Sequence, residues 1–366
     1  MRAPAWLPDH IPALDGIRGW AIVLVLLHHC LPRLQRLGLA PIAAWGWTGV
    51  DLFFVLSGFL ITGIVLDGRG RPKFFRNFYA RRALRIWPVF ALVVPVNYFI
   101  YGRANTWNGS GPFVLYLVFF VYNLMPGLTG TLYPAWSLAI EEQFYLVWAP
   151  VARRLPARAL AALLSGVLVA EPWLRRHLGI ALPIHTLYHL DGLALGAMIA
   201  LGLRTRRWDP AAWRRLGGAA LAAGAALWWW ADRGHGPWLD SGVALSFAGL
   251  LLLAVSSPPG NAQPGSARRS QAWVRWLLAP APLRFLGKIS YGLYLTHMLI
   301  FAIIGGLDAH MDRVHAGAVG DAAIVAARLL LSIGVATLLW HGFERPILGL
   351  KRHFPARAPA AAAAPG

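Results

Sequence analysis

The stretch GWTGVDLFFVLSGFLITG, residues 46–63, holds a single charged side chain, that of Asp51, in an otherwise apolar run. A helix that crosses a bilayer needs about 20 consecutive, mostly apolar residues, so this stretch predicts a transmembrane helix. Small residues at its centre, Ser57 and Gly58, permit a neighbouring helix to approach closely. Asp51, near the outer end, needs a cation or a hydrogen-bonding loop as its partner. We take it as a candidate substrate-binding residue.

The composition of the whole chain is that of a membrane protein. Of its 366 residues 57% are hydrophobic and 13% are charged, whereas about a quarter are charged in a soluble protein. Its eighteen Trp residues fit this class, because Trp collects at membrane interfaces. A net charge of +19 would suggest nucleic acid in a soluble protein, but here the basic residues stand in short blocks between apolar runs. No nucleic-acid-binding motif is present. The single cysteine, Cys30, excludes an internal disulfide, and no metal cluster is expected.

Apolar runs of spanning length recur along the chain and predict an all-α fold, a polytopic bundle of about ten transmembrane helices. Residues 1–350 are predicted to form one membrane domain, and the Ala/Pro-rich residues 351–366 a disordered cytoplasmic tail. A further run, Phe113–Leu124, is only twelve residues long and suits a re-entrant or interfacial segment. The predicted crossings are 19–37, 47–66, 86–101, 135–151, 159–172, 184–203, 216–231, 241–257, 285–307 and 322–343.

Blocks of basic residues indicate which loops face the cytoplasm, because cytoplasmic loops carry an excess of Lys and Arg. Residues 67–85 contain seven basic side chains and residues 153–158 contain three, whereas 232–240 and 308–321 hold one Arg each. Placing both rich loops inside requires an even number of crossings between them, so Phe113–Leu124 should not cross. An eleven-span alternative would put one end of the chain against the charge bias. The prediction is ten crossings with both termini in the cytoplasm.

Arg18 and His29 lie on the first predicted span, eleven residues apart. This spacing is about three helical turns, so both side chains share one face and are separated by about 16 Å along the axis. With Arg18 at the inner interface, His29 lies near mid-bilayer, where an imidazole can act as general base, proton relay or acyl acceptor. A plain hydrogen bond to a neighbouring helix is the alternative. His28 points about 100° away, and a structural role is favoured for it.

Arg82 and Arg85 stand three residues apart in FFRNFYARRALRIWP, residues 74–88, and are neighbours on one helical face. Guanidinium groups clustered at the inner membrane surface suit a phosphate-bearing ligand, which they bind by bidentate hydrogen bonds. The alternative is a topology signal that also contacts anionic lipid headgroups. Composition does not separate the two.

Carboxylates and imidazoles also occur inside later spans, where each is costly unless it is paired or reaches water. Glu141 and Glu142 are adjacent, so they cannot face one site, and one is expected to reach the interior. Asp191 lies in the outer half of its span and is a candidate substrate-binding residue. His297 follows Lys288 by nine residues, about 14 Å along a helix, so by depth it could meet the imidazole of the first span. It is a further candidate for substrate binding.

Seven segments, taken in order, resemble the acyltransferase family 3 of integral membrane proteins, from Leu14 to about Leu348. They are the Arg18–His29 spacing, GVDLFFVLSGFLIT, FYARRALRIWP, WSLAIEEQFY, HLDGLALG, ISYGLYLTH and the terminal ERP. One such motif would be weak support, but seven collinear ones are strong. The chain departs from the family at His189, where the family often has Arg.

The resemblance implies an enzyme of the plasma (inner) membrane that transfers an acyl group, commonly acetyl, from acyl-CoA to a carbohydrate hydroxyl. It implies His29 as base or acyl carrier, Glu141 at the family's acidic position, and Arg18 toward the donor end with Arg82 and Arg85 on the phosphates. Acyl-CoA is then a co-substrate, and no tightly bound cofactor is expected.

Two other classes of function fit the buried polar residues. A proton-coupled transporter or exporter of a cell-envelope precursor would use its His and Glu side chains as a proton relay. A non-catalytic lipid or glycan binder would not need His29 at all. Stabilisation by CoA would separate the enzyme from the transporter, because a ligand that binds only the folded state raises its melting temperature.

Overall fold

The structure is a computed structural model that describes residues 3–8, 10–106, 119–124, 130–177, 184–257, 273–274, 276–313 and 317–355. Every regular element in these ranges is helical, in agreement with the predicted all-α class. The α-helices are α1 (Pro12–His29), α2 (Leu31–Arg36), α3 (Ala40–Ala44), α4 (Gly49–Asp67), α5 (Phe74–Thr106), α6 (Trp136–Arg154), α7 (Ala157–His177), α8 (Leu190–Thr205), α9 (Pro210–Ala231), α10 (Leu239–Val255), α11 (Ala281–Ile303), α12 (Gly305–Arg313), α13 (Gly317–Leu339) and α14 (Arg345–Gly349).

Each of the ten predicted crossings coincides with one of the longer helices. Within the described ranges, five stretches are long and apolar enough to cross a membrane: Gly46–Asp67, Ala157–His177, Gly236–Val255, Ala281–Arg313 and Gly317–His353. The count of ten crossings and the side of the termini remain predictions. The first predicted crossing differs in its bounds, because α1 starts at Pro12 and ends at His29, after which Pro32 starts α2 in its first turn.

Helix α4 is the centre of the bundle and packs against α1, α6, α8 and α10. Of its most apolar stretch 72% is buried, against 22% for α7 and 17% for α13. A helix that is apolar on all sides and buried belongs to the interior, whereas an apolar helix that stays uncovered faces lipid. The stretch quoted first from the sequence is therefore the element around which the other helices are arranged.

Glycines allow α4 and α8 to touch backbone to backbone. A Cβ atom added at Gly58 would collide with the carbonyl of Leu193, and one added at Gly196 would collide with the carbonyl of Val55. The two contacts are reciprocal, which is the close approach that small residues permit between membrane helices. The structural explanation of Gly58 is confirmed.

Two predicted segments lie partly outside the described residues. Of Phe113–Leu124, residues 113–118 are outside, and Tyr122–Leu124 is a short 3₁₀ helix. Of the predicted tail, residues 356–366 are outside. Before them, Leu350–His353 forms a 3₁₀ helix, and Arg81 donates to the carbonyl oxygens of Lys351 and Phe354 at 3.1 Å each. The start of the predicted tail is therefore held against α5.

The loop after α4 and the end of α6 pack together at one end of the bundle. The Nε of Arg69 donates to the carbonyl of Ala152 at 3.0 Å, and Arg153 donates to the carbonyls of Gly68 and Arg71 at 2.9 and 3.0 Å. Two basic loops that bond to each other lie on the same side of a membrane. We call this end of the bundle the basic end and the opposite end the far end.

Cysteines introduced at Lys73 and Arg154, both exposed, should react with a membrane-impermeant thiol reagent only after the cell membrane is permeabilised, because both loops lie at the basic end. The buried Cys30 is first replaced by Ala. Asp232→Cys, in an exposed turn predicted to lie outside, serves as the control and should be labelled in intact cells. Labelling of the two basic-loop positions from opposite sides would contradict the ten-span arrangement.

Candidate functional site

A cavity of about 120 Å³ opens toward the basic end, between α1, α4, α5, α6 and α11. Its charged and hydroxyl-bearing lining consists of Arg18, Ser57, Arg82, Arg85, Ser137, Glu141, Tyr145, Ser290, Tyr291 and Tyr294. The structure thus brings together four of the residues singled out from the sequence, namely the three arginines and Glu141. We name this space the donor-side cavity, and the second one described below the acceptor-side cavity, after the donor and acceptor that the family resemblance predicts.

The two arginines of α5 have different surroundings in the donor-side cavity. Arg85 forms an ion pair with the buried Glu344 at 3.7 Å and lies over the ring of Tyr291, 5.5 Å from its centroid. Arg82 lies over Tyr145 at 5.9 Å, and its Nε has no hydrogen-bond partner within the part of the chain that the structure describes. A buried N–H group normally finds a partner, so Arg82 is the guanidinium best placed to take a ligand.

Glu141 is bound by two hydroxyl groups at the wall of the donor-side cavity. Ser57 on α4 donates a short hydrogen bond to Oε1, and Tyr145, one turn along α6, donates to Oε2 at 3.0 Å. The Tyr145 and Ser57 hydroxyl oxygens are 3.3 Å apart. The partners of Glu141 in the described structure are therefore hydroxyls and not a histidine. Glu142, its neighbour, is also half-buried, and its Oε1 has no hydrogen-bond partner among the described residues.

A second cavity, of about 190 Å³, lies toward the far end and contains His29. Its lining consists of Val25, His28, His29, Trp47, Val50, Asp51, Tyr133, Pro134, Trp136, His189, Asp240 and Tyr294. The structure brings His29 and Asp51 to the same cavity, a meeting that the sequence did not predict. His28, for which a structural role was favoured, also lines this space, which we call the acceptor-side cavity.

Hydrogen bonding fixes the tautomer of His29. Its Nδ1 lies 2.9 Å from the carbonyl oxygen of Val25, and a carbonyl only accepts, so Nδ1 carries the proton. In the neutral ring Nε2 therefore keeps its lone pair, which is the form that a general base requires.

His297 meets His29, as their depths predicted. The ring centroids are 4.9 Å apart, in an edge-to-face arrangement. His297 is fully buried, with Nδ1 donating to the carbonyl of Tyr294 at 2.7 Å and Nε2 without a hydrogen-bond partner among the described residues. It lies behind His29 rather than on the cavity wall.

Tyr294 lines both cavities and forms the partition between them. Its hydroxyl donates to the carbonyl of Pro134 at 2.6 Å, and the hydroxyl of Ser137 lies 2.8 Å from it. These hydrogen bonds hold the side chain of Tyr294 at the boundary between the two cavities. The two cavities are therefore separated by a group that rotates about single bonds.

Asp191 is placed in an ion-pair network at the start of α8. It accepts from Arg175 of α7 at 2.9 Å and from Ser241 of α10 at 2.8 Å. Arg175 also lies 3.5 Å from Glu171 and 3.4 Å from Asp240. Because its carboxylate accepts hydrogen bonds from two neighbouring helices, Asp191 joins α7, α8 and α10.

Sequence reasoning missed Arg175, Tyr145, Tyr294 and the role of Ser57 as a partner of Glu141. The sequence carried a signal for some of them. Tyr145 follows Glu141 by four residues, the spacing of neighbours on a helix surface. Tyr294 precedes His297 by three. Arg175 follows Glu171 by four residues on α7 and so carried the same kind of signal, whereas its partners Asp191 and Asp240 lie on other helices.

A family model described as an acyltransferase domain matches residues 11–341. The chain therefore belongs to this acyltransferase family, as its collinear motifs predicted. The match covers every helix that lines the two cavities.

Curated relatives carry related names. The YrhL protein of Bacillus subtilis is 27% identical over 383 residues, covering 92% of this chain and 55% of the relative. The peptidoglycan O-acetyltransferase OatA of Listeria monocytogenes is 26% identical over 336 residues, covering 82% and 51%. The O-acetyltransferase OatA of Staphylococcus aureus is 25% identical over 342 residues, covering 81% and 51%. The chain thus spans about half the length of these relatives. No solved structure matches it.

Arg175→Ala should lower the free energy of unfolding by about 3–5 kcal/mol, because it leaves buried carboxylates without their cation. Thermal unfolding of the detergent-solubilised protein measures this. The matched control is Arg176→Ala, since Arg176 is the next residue and is exposed. Equal melting temperatures for the two variants would show that Arg175 does not hold α7, α8 and α10 together.

Proposed function

We propose that this chain is an O-acyltransferase of the plasma membrane. It transfers an acyl group, acetyl in the commonest case, from cytoplasmic acyl-CoA to a hydroxyl of a carbohydrate or glycoconjugate on the other side. The observation that carries this proposal is the pair of cavities, one lined by guanidinium groups and one by imidazoles, that meet at Tyr294. Membership of the acyltransferase family supports it.

The donor-side cavity is assigned to acyl-CoA. CoA is a phosphate-bearing thioester carrier, and Arg18, Arg82 and Arg85 line this cavity. Guanidinium groups bind phosphate by paired hydrogen bonds, and Arg82 has donor capacity to offer. Arg85 is already paired with Glu344, so in this proposal it contributes less than Arg82 to phosphate binding. In this proposal CoA enters and leaves as a co-substrate.

The acceptor-side cavity is assigned to the carbohydrate. Its walls combine aromatic rings, those of Trp47, Tyr133 and Trp136, with the carboxylates of Asp51 and Asp240. Apolar faces with a few oriented polar groups are the usual composition of a small-molecule site. Peptidoglycan, named for the Listeria relative, is the acceptor class that we favour. Asp191 contributes by holding the helices of this wall in place.

The reaction needs a base at the acceptor hydroxyl, because an alcohol is a weak nucleophile at neutral pH. We assign this base to Nε2 of His29, the nitrogen left with a lone pair by the Val25 hydrogen bond. General-base catalysis of this kind is worth about 10²–10⁴-fold in rate. His297, in ring contact with His29, positions that ring. Glu141 acts at the donor side, where its hydrogen bonds place it.

His29→Ala should abolish acyl transfer while acyl-CoA still raises the melting temperature, because the variant loses the base and keeps the arginines. Arg82→Ala should do the reverse, raising the Michaelis constant for acyl-CoA and reducing the CoA-dependent thermal shift. Arg82→Lys keeps the charge and loses the planar fork, so it should also weaken binding. Transfer is measured by mass spectrometry of glycan fragments incubated with acetyl-CoA.

Two exposed residues supply matched controls for these variants, His341→Ala and Arg76→Ala, and both should behave as the wild type. Substantial turnover by folded His29→Ala would exclude His29 as base or carrier. An unchanged Michaelis constant in Arg82→Ala would reduce the arginine pair to a topology signal. If CoA never stabilises the wild-type protein and no transfer occurs, the transporter alternative gains support.

A further inference from the structure

Ser57 has a hydroxyl group, a carboxylate partner and access to the donor-side cavity. We propose that Ser57 is a covalent acyl carrier, activated by Glu141, that takes the acyl group from the thioester before the acceptor receives it. This inference rests on the proposed function, because it assumes an acyl-CoA donor in that cavity. In this proposal the transfer takes two steps, and the intermediate is an ester of Ser57 and not an acyl-histidine.

The geometry is that of a nucleophile with its base. Ser57 Oγ donates a short hydrogen bond to Oε1 of Glu141, so the proton that must leave the nucleophile already points at a carboxylate. Glu141 is oriented in turn by the Tyr145 hydroxyl on its other oxygen, at 3.0 Å. A nucleophile, a base within hydrogen-bond reach and a third group that orients the base are the parts that activated nucleophiles share.

The surroundings of the pair fit a thioester substrate. Ser57 is half-buried and lines the cavity, so its oxygen is reached from inside the cavity. Arg18 lines the same space and supplies positive charge near the carbonyl oxygen, where negative charge develops during attack, whereas Arg82 stays with the phosphates of CoA. Ser57 also lies six residues along α4 from Asp51, about 9 Å, so the same helix carries one residue of each cavity.

In the first step the acyl group moves from the sulfur of the thioester to Ser57. Ser57 Oγ attacks the carbonyl carbon of the thioester, an Oγ–C bond forms and the C–S bond breaks. The Ser57 proton passes to Glu141, which becomes a carboxylic acid. CoA leaves as its thiolate and takes a proton from water on the basic side. The enzyme is then an ester at Ser57.

The second step returns Ser57 to its starting state. The acceptor hydroxyl, its proton taken by His29, attacks the ester carbonyl beside Tyr294, and the bond from that carbon to Oγ breaks. Glu141 gives its proton back to Ser57 Oγ and is again a carboxylate. The His29 proton is released at the acceptor side. A separate proton acceptor for each half-reaction fits the placement of Glu141 at one cavity and His29 at the other.

A purely structural role for the same contacts makes a different prediction. A carboxylate inside a membrane protein needs hydrogen-bond donors, and Ser57 and Tyr145 supply two. If that is their whole function, Ser57→Ala lowers stability, and no acyl group is found on Ser57 in the wild type. The two accounts therefore differ in whether the acyl group is ever found on Ser57.

The test incubates the purified full-length chain with acetyl-CoA alone, quenches with acid and locates acetyl groups by tandem mass spectrometry of the peptides. We expect an acetyl ester on Ser57 in the wild type and none in Ser57→Ala. Ser57→Cys keeps a nucleophile and should collect the adduct as a thioester. Glu141→Gln should slow adduct formation by about 10²–10⁴-fold, the range of general-base catalysis. Retention of the CoA-dependent thermal shift shows that each variant is folded and binds donor.

Ser246→Ala is the matched control, since Ser246 is a buried serine of α10 that donates to the carbonyl of Gly242 and lines neither cavity. It should retain the Ser57 adduct. No adduct on Ser57 in a wild-type protein shown to bind CoA, an adduct on His29 instead, or transfer by Ser57→Ala at the wild-type rate would each overturn the carrier. In those cases acyl-CoA-dependent transfer by the wild type can still stand. Loss of that transfer in the wild type would instead refute the proposed function.

Discussion

The carboxylate of Glu141, held between the hydroxyls of Ser57 and Tyr145, lies in the middle of an apolar bundle. A charged group at that depth costs several kcal/mol unless it is bonded or wetted, and here it is both bonded and at a cavity wall. The same constraint explains the rest of the interior. Arg175 joins the carboxylates of α7, α8 and α10, and Glu344 lies against Arg85. Glu141, Arg175 and Glu344 are thus each paired with a residue from another part of the bundle.

The two cavities divide the polar groups by chemistry. Fixed cations line the space at the basic end, whereas imidazoles, carboxylates and indole rings line the space at the far end. Helix α4 runs past both, with Ser57 at one and Asp51 at the other, and its glycine contact with α8 holds it at the centre. Tyr294 alone among the described lining residues belongs to both. In the proposed mechanism an acyl group that moves from one cavity to the other passes the side chain of Tyr294, so the transfer takes place beside the residue that the two cavities share.

Much of this arrangement follows from the sequence. Apolar runs predicted where the long helices lie, although α1 and α5 both start well before their predicted crossings, and depth along two helices predicted that His29 and His297 meet. What sequence did not reveal depends on how helices pack. The Arg175 network joins three helices, and no periodicity within one helix predicts which of them approach. The tautomer of His29 depends on one backbone carbonyl, and the pairing of Glu141 with Ser57 depends on the register of α6 against α4.

In the proposed mechanism the acyl group crosses the membrane domain while CoA stays on the basic side. Proteoliposomes with peptidoglycan fragments enclosed in the lumen, and acetyl-CoA carrying a labelled acetyl group added only outside, test it directly. The account predicts labelled fragments in the lumen from those molecules whose basic end faces outward, with free CoA appearing outside. Labelled fragments only when acetyl-CoA and acceptor share one compartment would contradict it.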